Sequence, residues 1–181
     1  MSEAAEILRR LRRIEDREEI RDLVGRYTLA NDDMDFDALE KLFTPDARIG
    51  WVDGSNVQEG RSAILDYYRD RFRDRGARFH TTHDQFVDWD EADPDRARGL
   101  VAGHAEVWTG TDQYMSAIRY HDHYVRHEGR WKFSERLLSF LYFVPAAEYA
   151  GVMGEANRLR VYGGARPGHW PDGVDKRGAS R

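Results

Sequence analysis

The 181-residue sequence contains no cysteine. That absence removes disulfides, cysteine nucleophiles and thiolate metal sites, and it agrees with a reducing cytosol. No apolar run is long enough to cross a bilayer. The opening MSEAAEILRRLRRIEDREEI is charged and lacks the apolar stretch of a secretion signal. Twenty-eight Lys and Arg against 33 Asp and Glu leave a net charge of −5, which lends no support to a general nucleic-acid binder. The expectation is a soluble, cytoplasmic protein without nucleic-acid or membrane partners. Cofactor signatures are missing too. Gly151-Val152-Met153-Gly154 and Gly163-Gly164 lack the preceding strand and spacing of a dinucleotide loop, no GxxxxGK occurs, and no GxSxG marks a nucleophilic serine.

What is present is enough for a core: 40% of the residues are hydrophobic and 12% aromatic. Ile7, Leu8, Leu11, Ile14, Ile20, Leu23, Val24, Tyr27 and Leu29 recur at helical spacing, predicting a helix over Ala4–Asn31 with a possible break near Asp16. Asp35 is placed to cap a short helix, Phe36–Phe43, which Thr44-Pro45-Asp46 ends. A strand over Ala47–Val52 and a helix over Ala63–Arg75 follow. Four long strands are then expected: Phe79–Trp89, Arg98–Thr109, Tyr114–His127 and Trp131–Phe143. The last two are joined by Glu128-Gly129-Arg130, the clearest hairpin in the chain. Helices followed by long antiparallel strands define an α+β chain. Residues 1–145 read as its single domain and 146–181 as an extension, partly ordered or contacting a neighbouring subunit: Ala146–Tyr162 has room for a helical stretch, and GGARPGHWPDGVDKRGASR reads as a loosely ordered tail that Trp170 pins in part.

The chemistry-bearing residues admit two readings each. Strict alternation puts His80, Thr82, Asp84, Phe86 and Asp88 on one face of the first long strand. That mixed face suits a polar pocket or a wet surface equally well. His121 and His123 share a face near His104, a conceivable metal cluster that matches no compact ligand motif. Lys132, Ser134, Arg136, Leu138 and Phe140 form one stripe of the last strand, so Arg136 is placed either to bind a substrate oxygen or to pair with Asp122. Tyr27 and Asp32 sit near the end of the first helix, where a core tyrosine and a capping acid are the plainer alternatives.

Three stretches change the balance: EIRDLVGRYTLANDDMDFDALEKLFTPDARI, RFHTTHDQFVDW and YHDHYVRHEGRWKFSERLL. Together they resemble the SnoaL-like branch of the nuclear-transport-factor-2-like superfamily, over roughly residues 15–143. The resemblance implies a cystatin-like α+β cone, helices closing around a curved mixed sheet that encloses a pocket. It also implies a homodimer or homotrimer. The branch is similar to scytalone dehydratase, hexachlorocyclohexane dehydrochlorinase and bile-acid 7α-dehydratase, which carry out eliminations without a cofactor. It likewise holds cyclases, isomerases, small subunits of ring-hydroxylating oxygenases and non-catalytic binding modules, so the fold alone does not decide the function.

Residue by residue, the resemblance implies His80 as general base, Asp32 as its acidic partner, Tyr27 as a pocket hydroxyl and Arg136 as a pocket cation. Asp122 matches an interior acid, and His104 is the nearest counterpart of a second catalytic histidine. Asp84, Phe86, Trp108, Phe140 and Tyr142 are the remaining candidates for substrate contact. The expected activity is a cofactor-independent lyase or cyclase, foremost a dehydratase, acting on a hydrophobic oxygenated ring compound without a metal.

Overall fold

Ser2 accepts the Ala5 backbone N–H at 3.3 Å and starts helix α1, Glu3–Asp32. The computed structural model describes residues 2–73, 76–161 and 163–170. The break expected near Asp16 does not occur, and α1 runs unbroken for 30 residues. Asp16 is buried instead: it accepts the Trp131 indole N–H at 3.1 Å and pairs with Arg126, clamping the helix to the sheet. Only the second half of α1 faces the core, through Ile20, Leu23, Val24 and Tyr27; Ile7, Leu8, Leu11 and Ile14 are exposed. Asp35 caps α2, Phe36–Leu42, by accepting the Ala38 N–H at 2.9 Å.

Strand β1, Phe43–Trp51, begins directly after α2. Thr44-Pro45-Asp46, expected to end the helix, lies in the strand, and buried Phe43 already pairs with Phe133 of the last strand. A two-residue strand β2, Gln58–Glu59, precedes α3, Arg61–Phe72. That helix starts two residues before the expected Ala63, and its expected end at Arg75 lies outside the described residues. Then come β3, Arg78–Trp89; β4, Arg96–Trp108; β5, Gln113–His127; and β6, Arg130–Pro145. Glu128 and Gly129 both have positive φ, 54° and 77°, the signature of a two-residue hairpin turn that follows the twist of its strands.

The sheet order is β2-β1-β6-β5-β4-β3, antiparallel throughout except for the parallel β1–β6 pair. The sheet is curved and unclosed, and the helices cover its concave face: an α+β cone. Its main core joins Tyr27, Phe43, Tyr120, Tyr124 and Phe133 to α2 and α3.

Irregularities in the register decide which side chains face inward. In β3, His83 and Asp84 together oppose Ala102, because Thr82 pairs with Gly103 and Gln85 with Val101. In β6 the pairing skips Ser134 and again Leu141. Each bulge shifts the alternation by one residue and sends the following side chains to the opposite face.

The chain does not loosen after β6. A 3-10 helix, Ala146–Gly154, follows, and residues 155–161 and 163–170 then lie along β6. Beyond the end of β1, that edge of β6 would expose its backbone; the returning segment covers it. Phe143 N–H donates to the Arg158 carbonyl and Arg160 N–H to the Phe143 carbonyl, both at 2.8 Å. Trp170, expected as an anchor, lies against the Arg119 guanidinium, 3.9 Å from ring centroid to carbon. The part of the expected loose tail up to Trp170 is thus folded onto the sheet, while residues 171–181 lie outside the described residues.

Candidate active site

Asp32 closes α1, and His80 is the third residue of β3; the packing of that helix on that strand brings them together. The Asp32 carboxylate accepts the His80 backbone N–H at 2.9 Å and meets His80 Nδ1 at 2.5 Å. Two bonds from one carboxylate fix both the strand and the ring. Both side chains are mostly buried, 14% exposed for Asp32 and 15% for His80. With Asp32 ionised, Nδ1 carries the proton and Nε2 presents its lone pair, the arrangement a general base requires.

His80 lines a cavity walled by α1, α3 and the concave face of the sheet. Tyr27, Tyr68, Tyr120, Trp51, Phe140 and Phe143 supply most of the aromatic wall. The cavity volume is about 90 Å³, below the ~150 Å³ of a dry cavity that holds benzene. A ring-sized ligand therefore requires lining side chains to move, among which Asn56, Tyr67 and Arg71 are half-buried. Tyr27 and Tyr68 share a hydrogen bond of 2.8 Å between their hydroxyls. Burial pushes both phenols above their ordinary range, so both stay protonated at neutral pH.

Arg136 lies beneath the cavity rather than on its wall. It donates from Nε and Nη2 to the two Asp122 oxygens, 2.8 Å each, with both side chains fully buried. Its guanidinium is enclosed by the rings of Tyr27, Tyr120 and Phe133 at 4.1–4.3 Å. Tyr124 donates a further hydrogen bond to Asp122 at 2.7 Å. Of the two alternatives for Arg136, substrate contact or structural pairing, the geometry is that of pairing. Asp122 likewise offers no free oxygen to a substrate.

Several other expected contacts point away from the cavity. The β3 bulge turns Phe86 outward, 65% exposed, and leaves Asp84 exposed as well. The bulge at Leu141 sends Tyr142 to the convex face, where it packs with Ala117, Val144 and Val152. Trp108 lies on the outward side of β4 and is 43% exposed. His104 is also outward, hydrogen-bonded to His83 at 2.8 Å and not to the dyad. His121 instead bonds Ser139 and His123 faces Glu135, so the three histidines do not converge. Among the described residues, no group of three potential ligands stands close enough to hold a metal. Of Phe86, Trp108, Phe140 and Tyr142, Phe140 reaches the cavity along with Tyr27 and His80.

Sequence reading passed over Asn31, Tyr68, Arg71 and Arg78, all of which line the cavity. Arg78 carried a usable signal, since it stands two residues before His80 and hence on the same strand face. Tyr68 and Arg71, three apart on α3, carried one only once that helix is known to cover the cavity.

Comparison with known proteins agrees with this architecture. The model of the SnoaL-like domain matches residues 12–137. No curated protein matches the chain. An NTF2-like protein with a cystatin-like fold from Novosphingobium aromaticivorans is 26% identical, with a TM-score of 0.61 over 78% of this chain and 92% of that one. Hexachlorocyclohexane dehydrochlorinase LinA-type3 from Novosphingobium barchaimii is 22% identical, with a TM-score of 0.67 over 76% and 94%. A proposed scytalone dehydratase from Novosphingobium aromaticivorans is 17% identical, with a TM-score of 0.66 over 73% and 88%.

Proposed function

The chain belongs to the SnoaL-like domain family, and from that premise we propose that it is a cofactor-independent lyase, foremost a dehydratase, using His80 as general base. The observation that carries this reading is the Asp32–His80 pair on the wall of a largely apolar cavity. A surface histidine would need neither the burial nor the second bond from Asp32 to its own backbone. The similarity to a dehydrochlorinase and to a proposed scytalone dehydratase supports the same class of chemistry.

The substrate is a hydrophobic, oxygenated ring compound with an acidic C–H next to a carbonyl. The cavity volume favours one ring over a polycycle. His80 Nε2 takes the carbon-bound proton, and the C–H electron pair becomes the enolate. Collapse of the enolate expels a β-hydroxyl, which takes its proton back from the imidazolium and departs as water. Asp32 holds the tautomer and stabilises the imidazolium. Tyr27, held protonated by burial, donates a hydrogen bond to a substrate oxygen but keeps its proton. Arg136 acts from below by fixing Tyr27 and Tyr120. The family resemblance supports a homodimer or homotrimer.

The test is a panel of one-ring and two-ring cyclic β-hydroxy ketones incubated with the full chain and followed by mass spectrometry for loss of water. Wild type dehydrates at least one, and His80→Gln lowers that rate by about 10²–10⁴-fold. An equal rate in the variant refutes the mechanism. Saturable binding of the panel without turnover would favour a ligand-binding module instead.

A further inference from the structure

Arg78 is 8% exposed and lines the cavity beside His80. Its Nε and Nη2 atoms are buried and have no hydrogen-bond partner among the described residues. Those two atoms form one edge of the guanidinium. Arg136 shows in the same molecule what that edge does: its own Nε and Nη2 grip the two oxygens of Asp122 at 2.8 Å. The flat face of Arg78 is already used, lying 3.7 Å over the Phe72 ring, so the side chain is held in place with its donor edge unused.

The charge around Arg78 points the same way. Arg71 lines the same cavity, and the two guanidinium groups repel one another. Asp32 attracts Arg78, but its carboxylate is already committed to His80 through two bonds. Burying a cation whose donors are unmatched is unfavourable in a protein interior. A ligand anion would offset that cost.

We propose that Arg78 forms a carboxylate-binding subsite within the cavity, so that the substrate is a ring compound bearing a carboxylate. This assignment rests on the cavity being the substrate site, as proposed above. Arg78 and His80 are alternate residues on one strand face, about 7 Å apart along the backbone. The subsite therefore anchors the substrate's anionic end one side-chain position away from the base, leaving the ring carbon next to the carbonyl to face Nε2. A neutral ring compound of the same shape would leave the Arg78 edge unmatched and would be rejected.

Calorimetric titration of the full-length protein with benzoate and with benzamide tests this. The two probes share shape and differ in charge. Wild type binds benzoate at least about tenfold more tightly than benzamide. Arg78→Gln removes that preference, and Arg78→Lys, which keeps the charge but not the fork, binds benzoate more weakly than wild type. His80→Gln keeps the preference, which separates the subsite from the proton-transfer reading: loss of turnover with the preference intact supports Arg78 as anchor. Benzoate binding no better than benzamide in wild type, including no binding of either, overturns the subsite without requiring any variant to fold. So does a preference that survives in Arg78→Gln.

Discussion

Arg136 and Asp122 form a two-bond ion pair, 2.8 Å at each contact, with neither side chain exposed to solvent. Around it lie Tyr27, Tyr120 and Phe133, so the pair is the point from which the cavity floor is built. Removing one partner strands the other charge in the core. Arg136→Ala is expected to destabilise the fold by about 3–5 kcal/mol, measured by urea unfolding. Asp122→Asn, which keeps the shape and one acceptor, should cost less than Arg136→Ala.

Gly99 faces the same cluster from β4. A Cβ there would lie 2.5 Å from Tyr124 Cε2 and 2.6 Å from its hydroxyl oxygen. Tyr124 cannot move without giving up its 2.7 Å bond to Asp122. Gly99→Ala should therefore destabilise by about 1–3 kcal/mol, and Tyr124→Phe in the same background should recover part of that loss. Paired unfolding curves of the single and double variants measure it.

How far the sequence discloses this molecule depends on what its periodicity can carry. The helices, the four long strands and the Glu128-Gly129 turn follow from spacing and turn chemistry, and the Asp32–His80 pairing follows from the resemblance. Side-chain direction past a bulge does not. Phe86 and Tyr142 are candidates for substrate contact under the resemblance, and one extra residue in β3 and another in β6 turn each of them to the outer face. Nothing in the local residue types marks those bulges. The returning segment was hidden for a similar reason: its Gly and Pro content reads as loose chain, yet its order comes from the open edge of β6 and from buried Arg158 and Leu159.

That segment also braces the cavity wall. Arg158 donates to the carbonyls of Leu141, Glu155 and Trp170 at 2.8, 2.7 and 3.2 Å. His169 accepts the Phe140 N–H at 3.0 Å while its ring lies against Trp51, and both of these aromatics line the cavity. Arg158→Ala should lower stability by about 1–3 kcal/mol, because the Leu141, Glu155 and Trp170 carbonyls lose their donor. Hydrogen exchange should speed up at Phe140 and Phe143, whose N–H groups depend on this segment.

The buried phenols give the protein an alkaline limit. Burial raises the pKa of Tyr27, Tyr68, Tyr120 and Tyr124. In the unfolded chain a phenol ionises near pH 10. Above that pH the native state holds protons that the unfolded state releases, so stability is fully present below about pH 10 and falls as pH rises beyond it. Urea midpoints measured from pH 8 to pH 11 (a range spanning about 10) should be flat at first and then decline. Tyr68→Phe should soften the decline.

The dyad itself is best isolated at its first step, before any leaving group is involved. Proton NMR in D₂O follows exchange of the α-hydrogens of a cyclic ketone carboxylate, a probe that engages both His80 and Arg78. Wild type is expected to wash deuterium into the α-position, with His80→Gln and Asp32→Asn each slower by about 10²–10⁴-fold. Exchange at the wild-type rate in both variants would contradict the account.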